Sequence, residues 1–494
     1  MAESKTGGKK LILNSMIYSL SGLLIKCFSF FLLPIYTAYL STEDYGITNI
    51  SSSFLHTMSF IVTFSLFSAV MRFYVDLKDD AEKLKRFYGT IILFTCASGG
   101  IWTILLILFR NVISNLIFSG VDFFPVIFVS VISLIFSCLH TIYDNILKSQ
   151  QKAAKSSILS FIYFIVTVSL NIFFVAVLRL GARGVVLATL ISGVIYTIYF
   201  VFDIMVSRSV RWCIDLPLLK VSLKYSIPII PHNLSTQIAI LISQALIGGT
   251  ASLGAVGVYA IASQFGNIAD TVQSYVNQAY GPWLYEKLHE KQEDYKLAIR
   301  SLVRMLVMVI VFLLLGITLF AEDYILGFLN SSYSEACKYV PWVILVYALK
   351  IPYYFYINVL FYFKKAARFI FIATLSGSLI NILLSALLIP GFGIYGSIAA
   401  DLICMLIRVA IVVIISLKFE NIGIKLRDFV FGILVFIFFA FIAIAPSLLN
   451  FSGEFSLYRF LYKGMIICVY LALLLLIYRK KITMFLKNRK EMNK

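Results

Sequence analysis

Gly46-Ile-Thr-Asn-Ile-Ser-Ser-Ser-Phe54 returns in altered form as Gly257-Val-Tyr-Ala-Ile-Ala-Ser-Gln-Phe265, an offset of 211. Lys152-Ala-Ala-Lys155 returns as Lys365-Ala-Ala-Arg368, and Gly181-Ala-Arg-Gly184 as Gly393-Ile-Tyr-Gly396, at nearly the same offset. Each match is short, but three at nearly one offset mark an internal duplication.

Around these anchors the 494-residue chain is 61% hydrophobic and only 13% charged, with a mean hydropathy of +0.93. That composition excludes a soluble globular domain. Apolar stretches of about 20 residues or more recur from Leu11 to Ile477, each long enough to cross about 30 Å of hydrocarbon. Helices are expected near 11–39, 47–71, 87–109, 123–147, 156–178, 184–206, 225–247, 256–282, 301–320, 340–363, 369–389, 394–417, 428–449 and 458–478. The fold class is therefore an all-α integral membrane protein of about 14 transmembrane helices. The repeat divides it into a six-helix lobe over 1–210, a second over 211–424, and two peripheral C-terminal helices with a basic tail over 425–494. An even number of helices per unit inserts both halves in the same orientation, related by an axis along the membrane normal.

Basic residues test this segmentation independently, because Lys and Arg are retained on the cytoplasmic side. With the N-terminus inside, 32 of the 42 fall in cytoplasmic segments, and the outer side carries Arg110, Arg179, Arg183, Lys338, Arg459 and Lys463. Both termini are then cytoplasmic. Lys26, Arg304, Lys350 and Arg408 fall within helices. The net charge of +18 is explained by short loops beside anionic headgroups, so no nucleic-acid partner is expected. The first apolar run, about 29 residues without a small-residue cleavage site, is expected to be retained as a helix. Seven scattered cysteines form no CxxC pair, and no GxxxxGK[ST] loop occurs. No metal, cofactor or enzymatic constellation is expected, and transport is secondary.

Polar groups in hydrocarbon need partners or water, so their positions reveal the face of each helix that avoids lipid. Helix 1 carries Ser15, Ser19, Gly22, Lys26 and Ser29; helix 2 carries Asn49, Ser52, His56, Ser59 and Thr63; helix 8 carries Ser263, Asn267, Asp270, Ser274 and Asn277. All step in threes and fours, the spacing of one helical face. Helix 7 begins Ser226-Ile-Pro-Ile-Ile-Pro-His-Asn233 and continues through Gln237 and Gln244; its prolines predict a kink. A shift of 211 superposes Lys26 on Gln237, His56 on Asn267 and Ser59 on Asp270. Helices 1, 2, 7 and 8 are thus expected to line a water-filled cleft. Ser130, Ser133, Ser137, His140 and Asp144 of helix 4 and Tyr347, Lys350 and Tyr354 of helix 10 are its candidate flanks.

Lys26 lies too far from either end of helix 1 to snorkel, which leaves a cavity role or an ion pair, with Asp270 as one partner. Asp270 can bind a coupling cation, a proton or a neighbouring base. Lys350 is either a substrate contact or part of a packing ion pair. Arg408 shares a face with Asp401. Arg72 is an interfacial anchor or a contact for an anionic substrate at the inner mouth. His56, His140 and His232 read first as hydrogen-bonded packing residues. Candidate substrate and cavity residues are Lys26, His56, Asn233, Gln237, Asn267, Asp270, Lys350 and Arg72.

At Leu40-Ser-Thr-Glu-Asp-Tyr-Gly46, Val70-Met-Arg72, Ser226-Ile-Pro228 and Gly254-Ala-Val-Gly257-Val-Tyr259 the chain resembles the polysaccharide flippases of the multidrug, oligosaccharidyl-lipid and polysaccharide exporter superfamily. The resemblance implies a V-shaped pair of six-helix lobes, alternating access, a bacterial plasma membrane, and a lipid diphosphate-linked oligosaccharide substrate such as an O-antigen repeat. It also implies a glycan polymerase and glycosyltransferases as partners beside the membrane lipids. Coupling by Na+, H+ or the membrane potential is left open. Members of that family often carry an Asp-Arg pair late in helix 7, where this chain has Ser243-Gln244; the departure bears on any contact or coupling step that uses the pair. Rival readings are a cation-coupled multidrug exporter of the same superfamily and a non-transporting scaffold of a glycan assembly complex.

Overall fold

The computed structural model describes residues 17, 18, 20–363, 366–449 and 455–492. Ser15, Ser19 and Lys365, and the start of the first apolar run at Leu11, lie outside the described residues. Every described element is helical: α1 Leu20–Tyr39, α2 Thr42–Val62, α3 Leu66–Leu77, α4 Ala81–Leu108, α5 Phe128–Ser149, α6 Ala153–Val177, α7 Ala182–Val206, α8 Leu216–Ser226, α9 Ile230–Thr250, α10 Leu253–Glu290, α11 Tyr295–Phe328, α12 Ala336–Tyr362, α13 Phe369–Phe392, α14 Ile394–Phe419, α15 Leu426–Leu449 and α16 Leu457–Met492.

Eleven described helices are long and apolar enough to cross a membrane, or 12 if the bent pair α2–α3 counts as one span. Helices α9 and α10 fall short of that apolarity because Asn233, Gln237 and Gln244 sit on one and Asn267, Asp270, Gln273 and Asn277 on the other. With them the count reaches the expected fourteen. They are two of the four helices expected to face water, while helices 1 and 2 are apolar enough to pass as spans; lipid contact is what selects for apolar side chains.

Where the prolines predict a kink in helix 7, the α-helix is interrupted: Ile227–Ile229, around Pro228, forms a single 3-10 turn between α8 and α9. A second break was not expected. Helix 2, read as continuous over 47–71, bends by 47° between α2 and α3, where Phe64 and Ser65 both take positive φ, 48° and 52°. Neither is Gly or Pro, so left-handed backbone here is strained and held by its surroundings. Ser98 of α4 donates to the Val62 carbonyl at 2.7 Å. That bond closes one backbone group that the break frees.

The helices gather into two compact units, Met1–Ala260 with Thr374–Ala400, and Ile261–Ala373 with Asp401–Lys494. The proposed repeat boundary at 210/211 lies inside the first. Its core joins α3 to α7 through Val70, Phe87, Ile91, Ile142, Tyr143 and Phe200. The second unit packs α11 against α12, α15 and α16. Asp428 of α15 accepts from Arg300 at 2.8 and 3.1 Å and pairs with Arg304 at 3.0 Å. Lys463 of α16, only 1% exposed, pairs with Glu322 at 2.6 Å and Asp323 at 2.9 Å, and Arg459 reaches Glu322 at 3.3 Å. The last two helices are thus ion-paired to opposite ends of α11.

The duplication is visible in atomic detail where α2 and α10 begin. Ser41 accepts from the Asp44 N–H at 3.0 Å, and Ser252, its equivalent under the repeat, accepts from the Ala255 N–H at 3.0 Å. A Cβ at Gly46 would lie 2.0 Å from the Leu253 carbonyl oxygen, and one at Gly257 2.0 Å from that of Thr42. The pairs 46/257 and 42/253 share the offset, so the contact maps onto itself under the repeat. Glycine is required at both places because backbone meets backbone. Gly181 and Gly393, a further repeat pair, both turn at positive φ, 57° and 56°. Gly46→Ala and Gly257→Ala are expected to lower the melting temperature in detergent by similar amounts, roughly 1–3 kcal/mol of overpacking each. An unchanged melting temperature in either variant would show that the two backbones do not meet.

Candidate functional site

In the first unit the α2 stripe sorts into satisfied and exposed groups. Thr63 donates to the Ser59 carbonyl at 2.6 Å and Ser59 to the His56 carbonyl at 2.8 Å, so these hydroxyls return to their own helix, as Ser and Thr do in hydrocarbon. Ser52 and the His56 imidazole remain exposed, as does Lys26 on α1. Lys26 lies about 20 Å of helical rise before the end of α1 at Tyr39. An ammonium at the centre of a span costs roughly 2.5–3.5 kcal/mol against lipid, a penalty that water or a polar partner removes.

Helix α9 packs on α2. The Asn233 amide donates to Ser65 Oγ at 3.5 Å, at the break between α2 and α3, and Gln237 is half-buried one turn further on. The kinked helix and the broken helix are therefore joined at their irregular points. Late in α9, Ser243 shares a hydrogen bond of 3.1 Å with Ser385 of α13. Arg72 stands apart: it is exposed and bonds both oxygens of Asp76, one turn along α3, at 2.8 Å.

In the second unit α10 turns a polar edge onto α12. Lys350 pairs with Asp270 at 2.5 Å, and Tyr354 donates to the same carboxylate oxygen at 2.9 Å. The ammonium also lies 5.7 and 5.0 Å from the centres of the Tyr347 and Tyr354 rings, within cation–π range. Gln273 donates to the Tyr347 carbonyl at 2.8 Å, and Asn358 to Asn277 at 2.6 Å. Asn267 stays exposed. The stripe read as one face thus divides, with Asp270 and Asn277 bonded to α12 and Asn267 open. Gln273 and Asn358 were missed, although Gln273 follows Asp270 by one turn and Asn358 follows Lys350 by two.

The Asp270 side chain is 38% exposed and that of Lys350 only 15%, so the carboxylate caps a buried cation. Asp270→Asn leaves Lys350 without it and is expected to cost about 1–2 kcal/mol, less than the ~3–5 of a fully buried pair because Asp270 is partly solvated. The uncharged double variant D270N/K350Q should melt nearer the wild type than D270N alone; equal loss in both would remove the ion pair as the cause. Ser130 and Ser133, predicted flanks, are buried and bond the carbonyls one turn back at 3.0 and 2.7 Å. Among the described residues no cluster of three or more His, Cys, Asp or Glu side chains could hold a metal ion.

A family model described as polysaccharide biosynthesis protein matches residues 37–338. A Haemophilus influenzae protein named Lsg locus putative protein 1 is 24% identical over 369 residues, covering 72% of this chain and 86% of its own length. An uncharacterised membrane protein of the same organism is 26% identical over 372 residues, covering 74% and 87%. Among solved structures, the lipid II flippase MurJ in an inward closed conformation covers 95% of this chain and 100% of its own at 16% identity, with a TM-score of 0.70. An inward-facing multidrug resistance MATE family transporter covers 86% and 97% at 15% identity, with a TM-score of 0.57. At such identities these two structures speak for the fold.

Proposed function

The chain belongs to the polysaccharide biosynthesis protein family, a multi-pass membrane protein with a transporter fold, and on that premise we propose that it flips a lipid diphosphate-linked oligosaccharide from the inner to the outer leaflet of a bacterial plasma membrane. One observation carries the reading: Lys26 is exposed on a 20-residue apolar span. A cation within an apolar span suits a diphosphate, which ammonium groups bind by charge-assisted hydrogen bonds. Acidic side chains suit cationic drugs; along the middle of α1 and α2 the exposed polar groups include Lys26, Ser29, Ser52 and His56, and the exposed acid Glu43 lies at the start of α2.

In this mechanism the polar faces of α1, α2 and α9 in the first unit serve the sugar and diphosphate while the lipid tail stays in hydrocarbon. Within the first unit Lys26 holds the phosphate, and His56, Asn233 and Gln237 offer hydrogen bonds to sugar hydroxyls; in the second unit Asn267 is an open polar group of α10. Lys350 answers to Asp270 at rest, and an incoming phosphate competes for it. Exporting negative charge from a negative interior is assisted by about 2.3 kcal/mol per charge per 100 mV, so the potential contributes to the cycle. With both termini cytoplasmic, the glycosyltransferases that build the substrate act on the side of loading and a polymerase on the side of release.

Deletion of the gene followed by analysis of lipid-linked sugars tests the proposal. Glycolipid is expected to accumulate on the cytoplasmic face. Drug hypersensitivity with normal glycolipid distribution would replace it by the exporter reading, and silent cavity substitutions with damaging loop deletions by the scaffold.

A further inference from the structure

Helices α5, α6 and α7 enclose a titratable cluster that the proposed pathway does not use. The His140 ring stacks on Tyr163, centroids 4.7 Å apart and 20° from parallel, and meets Tyr196 edge to face at 4.3 Å and 82°. Its Nε2 is buried and has no hydrogen-bond partner among the described residues. The same holds for the Tyr18 hydroxyl, which interacts electrostatically with Asp144. Asp144 follows His140 by one turn on α5, the spacing at which side chains meet. One of its oxygens accepts from Ser156 of α6 at 2.5 Å and the other pairs with Lys148 at 2.6 Å.

The neighbouring charges are already matched. Asp203 of α7 pairs with Lys155 of α6 at 2.5 Å and accepts from Tyr143 of α5 at 2.6 Å. The groups left facing His140 are Asp144 and Lys148 on its own helix, Tyr163 on α6 and Tyr196 on α7, with Tyr18 beyond Asp144. The stacked Tyr163 ring and the Asp144 carboxylate favour the imidazolium, while burial and Lys148 oppose it.

We infer that His140 and Asp144 form a proton-binding site inside the first unit, distinct from the polar faces of α1, α2, α9 and α10. The proton resides on the imidazole, and the imidazolium then competes with Lys148 for Asp144. Because Asp144 also holds Ser156 near the start of α6, protonation alters the bond that ties α5 to α6. The site stands or falls independently of what the protein carries.

The test is NMR of the full chain, labelled with 15N-histidine, in lipid nanodiscs from pH 5 to 8. The chain has four histidines, and His140→Gln identifies the resonance by its loss; His140→Asn serves if that variant does not fold. The His140 signal is expected to titrate within the range, and Asp144→Asn to lower its midpoint by about one unit, as removal of a nearby opposite charge does. A His140 signal that stays neutral down to pH 5, or a midpoint indifferent to D144N, would overturn the site and leave a packed ring.

Discussion

Lys26→Gln is expected to abolish export of the lipid-linked sugar while leaving the protein's abundance in the membrane intact. Glutamine keeps the polarity of the side chain and much of its length but removes the charge, so the loss reports the ammonium itself. A hydrogen bond to a charged group contributes about 1.5–3 kcal/mol, roughly ten- to a hundredfold in affinity. The effect on turnover is larger if the contact is maintained through the crossing, because the phosphate would otherwise be bare along the whole path. Lys26→Arg retains charge and should retain part of the activity. Complementation of a deletion strain, read as glycolipid on each leaflet with the variant quantified by immunoblot, decides the matter. Full activity in the Gln variant would remove Lys26 from the mechanism.

The second large effect is on stability. Lys463→Ala is expected to cost about 3–5 kcal/mol, the range for breaking a buried ion pair by removing one partner. Lys463 is 1% exposed and faces Glu322, 11% exposed, and Asp323, 8% exposed. Without the lysine, two adjacent carboxylates lose a shared cation, and Arg459 reaches Glu322. One of the carboxylates must then take up a proton or open to water. Thermal unfolding in detergent should show the loss in K463A, and K463A/D323N should recover part of it by removing the orphaned charge. Equal melting of K463A and the wild type would mean that α16 is not held to α11 by this pair.

Much of the fold was legible because lipid is a simple selector. Apolar length located the spans, the prolines of Ser226-Ile-Pro-Ile-Ile-Pro announced the kink, and the glycine anchors announced the duplication. The break between α2 and α3 was not legible: Thr63-Phe64-Ser65 contains neither Gly nor Pro, and its conformation is imposed by packing. The candidate site was legible one helix at a time. Asp270 and Lys350 were each identified by depth, but they stand on separate helices far apart in the chain, and nothing in either helix predicted that they pair. Arg300 and Arg304 meet Asp428 across a still longer stretch of sequence. His140 looked like a packing residue since its tyrosines belong to other helices, and the missing partner of Nε2 is a property of three helices at once.

The meeting of Gly46 and Gly257 has an implication for how such a chain arises. A patch that pairs with its own copy about a two-fold axis is isologous, the geometry that closes a homodimer. Two unlinked copies of the first six-helix segment would therefore possess this joint already, with no new surface to invent. Gene fusion then supplies only a connecting loop, after which each copy is free to acquire its own polar lining.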